Sequence, residues 1–125
     1  MKVTRLSSKS LNQLLSGDTV KPATCLIKIY SNGCEYCHNL KDYYEDIASQ
    51  YEDIYFYAFN IGDDEELEKR LGFRGVPTIL WVNITPPDAK VNILHEPLQP
   101  NKVTWYRSQD IINFIEGQKK GVVNE

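Results

Sequence analysis

The sequence predicts an α/β sandwich, a mixed central β-sheet flanked by helices. Apolar runs with little interruption alternate with segments whose apolar residues recur at helical spacing, in the order helix, strand, helix, strand, helix, strand, hairpin, helix. The early strand–helix–strand units imply parallel crossovers, and the last two strands, joined by a short turn, form an antiparallel pair. At 125 residues, 42% hydrophobic and 11% aromatic, the chain can fill one core, so residues 1–125 are read as a single domain.

A first helix is expected over Ser8–Leu15, capped by Ser8 or Ser10, with Leu11, Leu14 and Leu15 on one side and Gly17 as its stop. Ala23–Tyr30 is apolar almost throughout, as a strand covered on both faces would be, with Lys28 the exception. The turn Ser31-Asn32-Gly33 leads into Cys34, after which Leu40, Tyr43, Tyr44, Ile47 and Ala48 mark a helix to about Ser49. Ile54–Asn60 is the next strand. Asp63-Asp64-Glu65-Glu66 then lead a helix carrying Leu67 and Leu71, with Lys69 and Arg70 near its end and Gly72 as stop, a charge order that suits the helix dipole. Thr78–Val82 reads as a strand, Thr85-Pro86-Pro87-Asp88 as a hairpin turn and Ala89–Leu94 as its partner. His95–Lys102 is an irregular loop. Ser108 is expected to cap a final helix ending at Gly117, residues 118–125 to fray, and Lys2–Leu6 to add a further strand.

Several function classes are disfavoured at once. The net charge is −3, with 14 basic and 17 acidic residues and no cluster of Lys or Arg, so an electrostatic grip on nucleic acid or on an anionic membrane is not expected. No apolar run approaches the length of a spanning helix. The first residues lack the apolar stretch and small-residue cleavage pattern of an export signal, which makes the cytoplasm the expected compartment.

Of the three cysteines, Cys25 stands apart and Cys34-Glu35-Tyr36-Cys37 forms a Cys-x-x-Cys pair at a helix start. Electron exchange by a dithiol needs one accessible, easily ionised thiol and a second within reach. Free backbone N–H groups and the positive end of the helix favour a Cys34 thiolate, while Cys37 lies one turn inward; Cys34 is then the attacking and Cys37 the resolving sulfur. Glu35 opposes a second negative charge beside it. The same pair could be half of a zinc site, and with His38 it spells the c-type haem attachment pattern. Zinc needs four ligands, however, and Cys25, His38 and His95 contain no second close pair; a haem would need an axial partner, and the only methionine is Met1. No metal is expected.

Gly72-Phe73-Arg74-Gly75-Val76-Pro77-Thr78, about forty residues beyond the cysteines and directly before an apolar strand, completes a pattern. Together with Cys34-Glu35-Tyr36-Cys37 it resembles the thioredoxin family, over about Ala23 to Gly117. The resemblance implies a three-layer thioredoxin-like sandwich with a cis Val76–Pro77 bond before the third main strand, facing the cysteines. Such a bend presents the N–H and C=O of Val76 to an extended substrate. Val76, Pro77, Gly33, Glu35 and Tyr36 are therefore the expected substrate contacts, and Thr78 is structural. The resemblance further implies protein disulfides as substrates, a thioredoxin reductase-type electron donor and no cofactor beyond the Cys34–Cys37 couple; a monomer is the simplest expectation. Rival readings are an oxidase or isomerase of the protein disulfide isomerase type and a binding subunit whose cysteines are dispensable.

The chain departs from the family in several places. The tryptophan before the first cysteine and the proline before the second are absent; Tyr36 is closer to glutaredoxins, but no glutathione-binding segment follows the proline strand, so glutathione dependence is not expected. Lys28 stands where the family has a buried carboxylate, six residues before Cys34, and the family's lysine on the next strand is replaced near Ala58. A buried ammonium is costly, so Lys28 is expected to turn outward, with a neutral base or an unnamed ion-pair partner as alternatives. Val103-Thr104-Trp105-Tyr106, in a lengthened loop from Leu94, occupies the region of a substrate-facing glycine. Arg107 is similar in place to an arginine of protein disulfide isomerase domains, and with His38 and Lys28 it is a candidate for tuning the thiol pKa values. Cys25 is expected to be buried and inert.

Overall fold

The computed structural model describes residues 3–121. Its elements are β1 (Val3–Arg5), α1 (Ser8–Ser16), β2 (Ala23–Tyr30), α2 (Glu35–Ala48), β3 (Tyr55–Asn60), α3 (Leu67–Leu71), β4 (Thr78–Thr85), β5 (Asp88–Ile93) and α4 (Ser108–Lys119). The strands form one sheet in the order β1-β3-β2-β4-β5, with β1, β3 and β2 parallel and β4 and β5 antiparallel to their neighbours. This is the mixed sheet expected from the element order.

Strand alternation divides the core into two layers. Leu26, Phe56, Ile79 and Trp81 face α2 and α4, where they meet Leu40, Tyr44, Ile47, Ile111 and Ile115. Cys25, Ile27, Ile29, Phe59, Leu80 and Val82 face α1 and α3, where they meet Leu11 and Leu67. The register pairs Lys28 with Ala58 on one side and with Ile79 on the other, which places it on the α2 face, in step with Leu26.

Helix ends account for most differences from the sequence reading. Ser7, rather than Ser8 or Ser10, caps α1, its hydroxyl accepting the Ser10 N–H at 3.1 Å. Gly17 ends that helix as expected, at φ +76°; a Cβ there would lie 2.5 Å from the backbone of Asp88, so α1 and the β4–β5 turn approach closely only because the residue is glycine. The acidic run does not form the first turn of α3. Asp63 pairs with Arg5, Asp64 pairs with Arg70 and accepts the Glu66 N–H, and the helix is confined to Leu67–Leu71 after a 3₁₀ turn over Ile61–Asp63. The cap of α4 is Arg107, whose N–H is taken by the Asp110 carboxylate at 2.9 Å, instead of Ser108.

Helix α4 also runs past Gly117. Lys119 pairs with Asp53 at 3.0 Å and Gln118 accepts from the Asn92 amide, so these two residues are docked rather than frayed; residues 122–125 lie outside the described residues. The expected N-terminal strand is present as β1, with Lys2 outside the described residues. Strands β4 and β5 reach to within two residues of each other, so that Pro86 and Pro87 alone make the turn.

Tyr44 ties these layers together. Its ring is fully buried, and its hydroxyl donates its one proton between the carbonyls of Tyr57 at 2.8 Å and Leu26 at 3.0 Å, on adjacent strands. Tyr44→Phe removes the donor and leaves the ring, so denaturant unfolding should show a loss of about 1–3 kcal/mol with an unchanged m-value.

Candidate active site

Cys34 stands at the junction of the central strand and α2. It is the N-cap of that helix, in extended backbone geometry, and its sulfur accepts the Cys37 N–H at 3.1 Å. Cys34 and Cys37 are joined as a disulfide. Cys34 is half-buried, whereas Cys37, in the first turn of α2, is only 3% exposed. Cys34 is thus the more accessible sulfur and Cys37 the shielded one.

The turn that carries Cys34 is fastened from two sides. The Asn60 amide donates to the Asn32 side-chain oxygen at 2.9 Å, and the His38 Nε2 atom lies 2.9 Å from the Asn32 carbonyl oxygen. His38 thus holds the turn. Asn60 had no signal in the sequence, because its role depends on β3 ending beside β2.

Opposite the sulfurs, the Val76–Pro77 peptide is cis and the Val76 carbonyl oxygen lies 3.8 Å from the Cys34 sulfur. Thr78 has the structural role expected of it, donating its hydroxyl to the Gly75 carbonyl at 2.8 Å. Beside Val76 and Pro77 opens a cavity of about 350 Å³ whose walls include Tyr36, Arg74, Glu96 and Trp105. The Tyr36 and Trp105 rings lie 5.5 Å apart. Trp105 adopts φ +67°, in a loop closed by paired Asn101 and Trp105 backbones and by the Asn101 side chain accepting the Val103 and Thr104 N–H groups. Asn39 of α2 donates to the Val103 carbonyl at 2.9 Å, joining this loop to the redox helix. Gly33 and Glu35 are exposed at the rim of the cysteine turn. Arg107 is engaged elsewhere, its guanidinium donating to the Gln99 carbonyl at 2.6 Å.

Lys28 does not turn outward. It is 5% exposed, and its ammonium lies 5.1 Å from the centre of the Tyr44 ring and 5.9 Å from that of Tyr30. The register with β3 and β4 fixes its direction, and the aromatic faces give a partial substitute for water. Burial, with Lys41 adding to it and Glu45 opposing, lowers its pKa to about 8. Cys25 is fully buried and its thiol is pushed up to about 11, which keeps it protonated and inert. Among the described residues no three His, Cys, Asp or Glu side chains converge as a metal site would require, and no helix is long and apolar enough to cross a membrane.

The lowered Lys28 value has a sign that can be tested. In the oxidised protein the native state releases this proton at about pH 8, before the unfolded chain does, so stability should rise with pH there, by about 1 kcal/mol between about pH 7 and pH 9. The raised value of Cys25 acts in the opposite direction once the unfolded thiol ionises, from about pH 8.5, and that of Tyr44 does so above about pH 10. Urea unfolding at stepped pH should show the rise in the parent protein and lose it in Lys28→Met.

Comparison with known proteins extends the geometry. A family model described as Thioredoxin matches residues 2–98. Among solved structures, the Trx4 domain of ERdj5 superposes with a TM-score of 0.74 at 10% identity, covering 98% of this chain and 99% of that one. Spinach chloroplast thioredoxin f in its long form gives 0.67 at 18% identity, with 94% and 87% covered. The J-Trx1 fragment of ERdj5 gives 0.66 at 17% identity; 99% of this chain is covered but only 53% of the fragment, so the chain spans about half its length. These likenesses establish the fold alone, and no curated protein sequence matches. A bonded Cys-x-x-Cys pair in that fold supports thiol–disulfide oxidoreductase chemistry. Since the family model covers well over half of its length, the chain belongs to the thioredoxin family.

Proposed function

We propose that the protein is a protein-disulfide reductase. The observation that carries this reading is the unequal placement of the two sulfurs: Cys34 caps α2 within reach of the Val76 carbonyl, and Cys37 is shielded directly behind it. In the reduced protein the Cys34 thiolate attacks one sulfur of a substrate disulfide. The substrate S–S bond breaks, its electron pair leaves on the second substrate sulfur, and that thiolate takes a proton from solvent. Cys37 then loses its proton and attacks Cys34, expelling the first substrate sulfur. Two electrons have passed to the substrate, and Cys34–Cys37 is left as the disulfide.

The substrate strand lies along Val76 and Pro77, with Gly33 and Glu35 at the rim and the Tyr36–Trp105 pair gripping a flanking side chain. A dithiol reductant of the thioredoxin reductase type restores the pair, and no bound cofactor takes part. The protein works as a monomer in the cytoplasm.

Equilibration with a glutathione or dithiothreitol buffer is the primary test. A reduction potential near about −270 mV supports the reductase, one near about −180 mV or higher moves the assignment to oxidation or isomerisation, and a pair that forms no disulfide leaves only a binding scaffold. Cys37→Ser should accumulate a mixed disulfide with a model protein substrate, and Cys34→Ser should form none. Trp105→Ala should raise KM for protein disulfides roughly 2- to 10-fold with little change in kcat, as expected for one aromatic contact.

A further inference from the structure

Cys37 and Lys28 line the same cavity, a space of about 320 Å³ between the end of β2 and the first turns of α2. The lysine is held there by the sheet register and is 5% exposed. Among the described residues no carboxylate forms an ion pair with it. Its cross-strand neighbours, Ala58 and Ile79, carry no charge. From β1, Arg5 reaches the cavity but is paired with Asp63 at 3.0 Å. From α2 come Lys41 and Glu45, which oppose each other in their effect on Lys28, and His38, which is held by the Asn32 carbonyl. Tyr30 and Tyr44 offer ring faces. The cavity that Cys37 lines thus holds a buried cation with no ion-pair partner among the described residues, and with Lys41 and Glu45 acting on it in opposite directions.

We propose that the Lys28 ammonium is a positioning charge for the resolving sulfur, stabilising the Cys37 thiolate across their shared cavity and so biasing the Cys34–Cys37 equilibrium towards the dithiol. The inference rests on the dithiol–disulfide cycle proposed above. Its direction follows from charge: the disulfide has none for the ammonium to stabilise, whereas the reduced pair has a thiolate. Coupling is reciprocal, so the thiolate also keeps Lys28 protonated to higher pH in the reduced than in the oxidised protein. The lowered value of Lys28 in the oxidised state is consistent with a cation that lacks compensation and would gain from one.

A pH signature follows. At acid pH Cys37 keeps its proton and the lysine has little to act on. At mildly alkaline pH thiolate and ammonium coexist and the bias is largest. At higher pH the lysine is neutral in both states and the bias disappears.

The test compares the oxidation equilibrium constant against glutathione for the parent protein, Lys28→Met and Lys28→Arg, from about pH 6 to pH 10. The Met variant should favour the disulfide by a factor near one at about pH 6, roughly 5- to 10-fold between about pH 8 and pH 9, and near one again at about pH 10, where tenfold corresponds to about 30 mV. The Arg variant, which stays charged, should match the parent at about pH 8 and favour the dithiol over it at about pH 10. Should the Met variant fail to fold, the Arg and parent curves alone must diverge at alkaline pH. A ratio that is flat with pH, as a purely structural role would give, overturns the assignment while leaving the reductase cycle standing. A pair that forms no disulfide in any of the three proteins overturns both.

Discussion

Strand β2 pairs with β3 through Cys25–Tyr30 and with β4 through Ala23–Ile29, while side chains from both helical layers cover its two faces. Burial on four sides fixes where its C-terminal end lies, and the sulfur turn begins one residue later. Because β4 runs antiparallel to β2, the start of β4, at Thr78 directly after Pro77, is brought to the same end of the sheet. The two segments that face each other across the sulfurs are therefore the end of one central strand and the beginning of its neighbour. Their separation is set by sheet hydrogen bonds rather than by a flexible loop.

Where the chemistry is local, it was legible in the sequence. The nearly unbroken apolar run Ala23–Tyr30 marks a doubly covered strand with its limits as found, and helical periodicity after Cys34 identifies α2. Placing Cys34 at a helix start already separates the two sulfurs by exposure. What could not be read depends on partners distant in sequence. Lys28 points inward because pairing with Ala58 and Ile79 fixes its face and because Tyr44 offers a ring; neither fact is visible at position 28. Trp105 reaches Tyr36 through a backbone turn organised by the Asn101 side chain. Helix α4 overruns Gly117 because Asp53 and Asn92 hold its last turn.

Charge around the disulfide is arranged along an inward axis. Glu35 sits in the first turn of α2 on the exposed side, where water screens a carboxylate, and Lys28 lies beneath, where little screening is available. Two charges of opposite sign near the same sulfurs therefore do not cancel. The buried one acts through a lower effective dielectric than the exposed one.

Tyr44 adds a constraint of another kind. Its hydroxyl hydrogen is committed to the carbonyls of Tyr57 and Leu26, and burial raises its pKa well above the ordinary tyrosine value. Although it forms part of the cavity wall beside Cys37, it neither gives up a proton nor accepts one in the range where thiols titrate. The wall is inert to acid–base exchange at this point, so a proton that reaches or leaves the inner sulfur does not pass through the tyrosine hydroxyl.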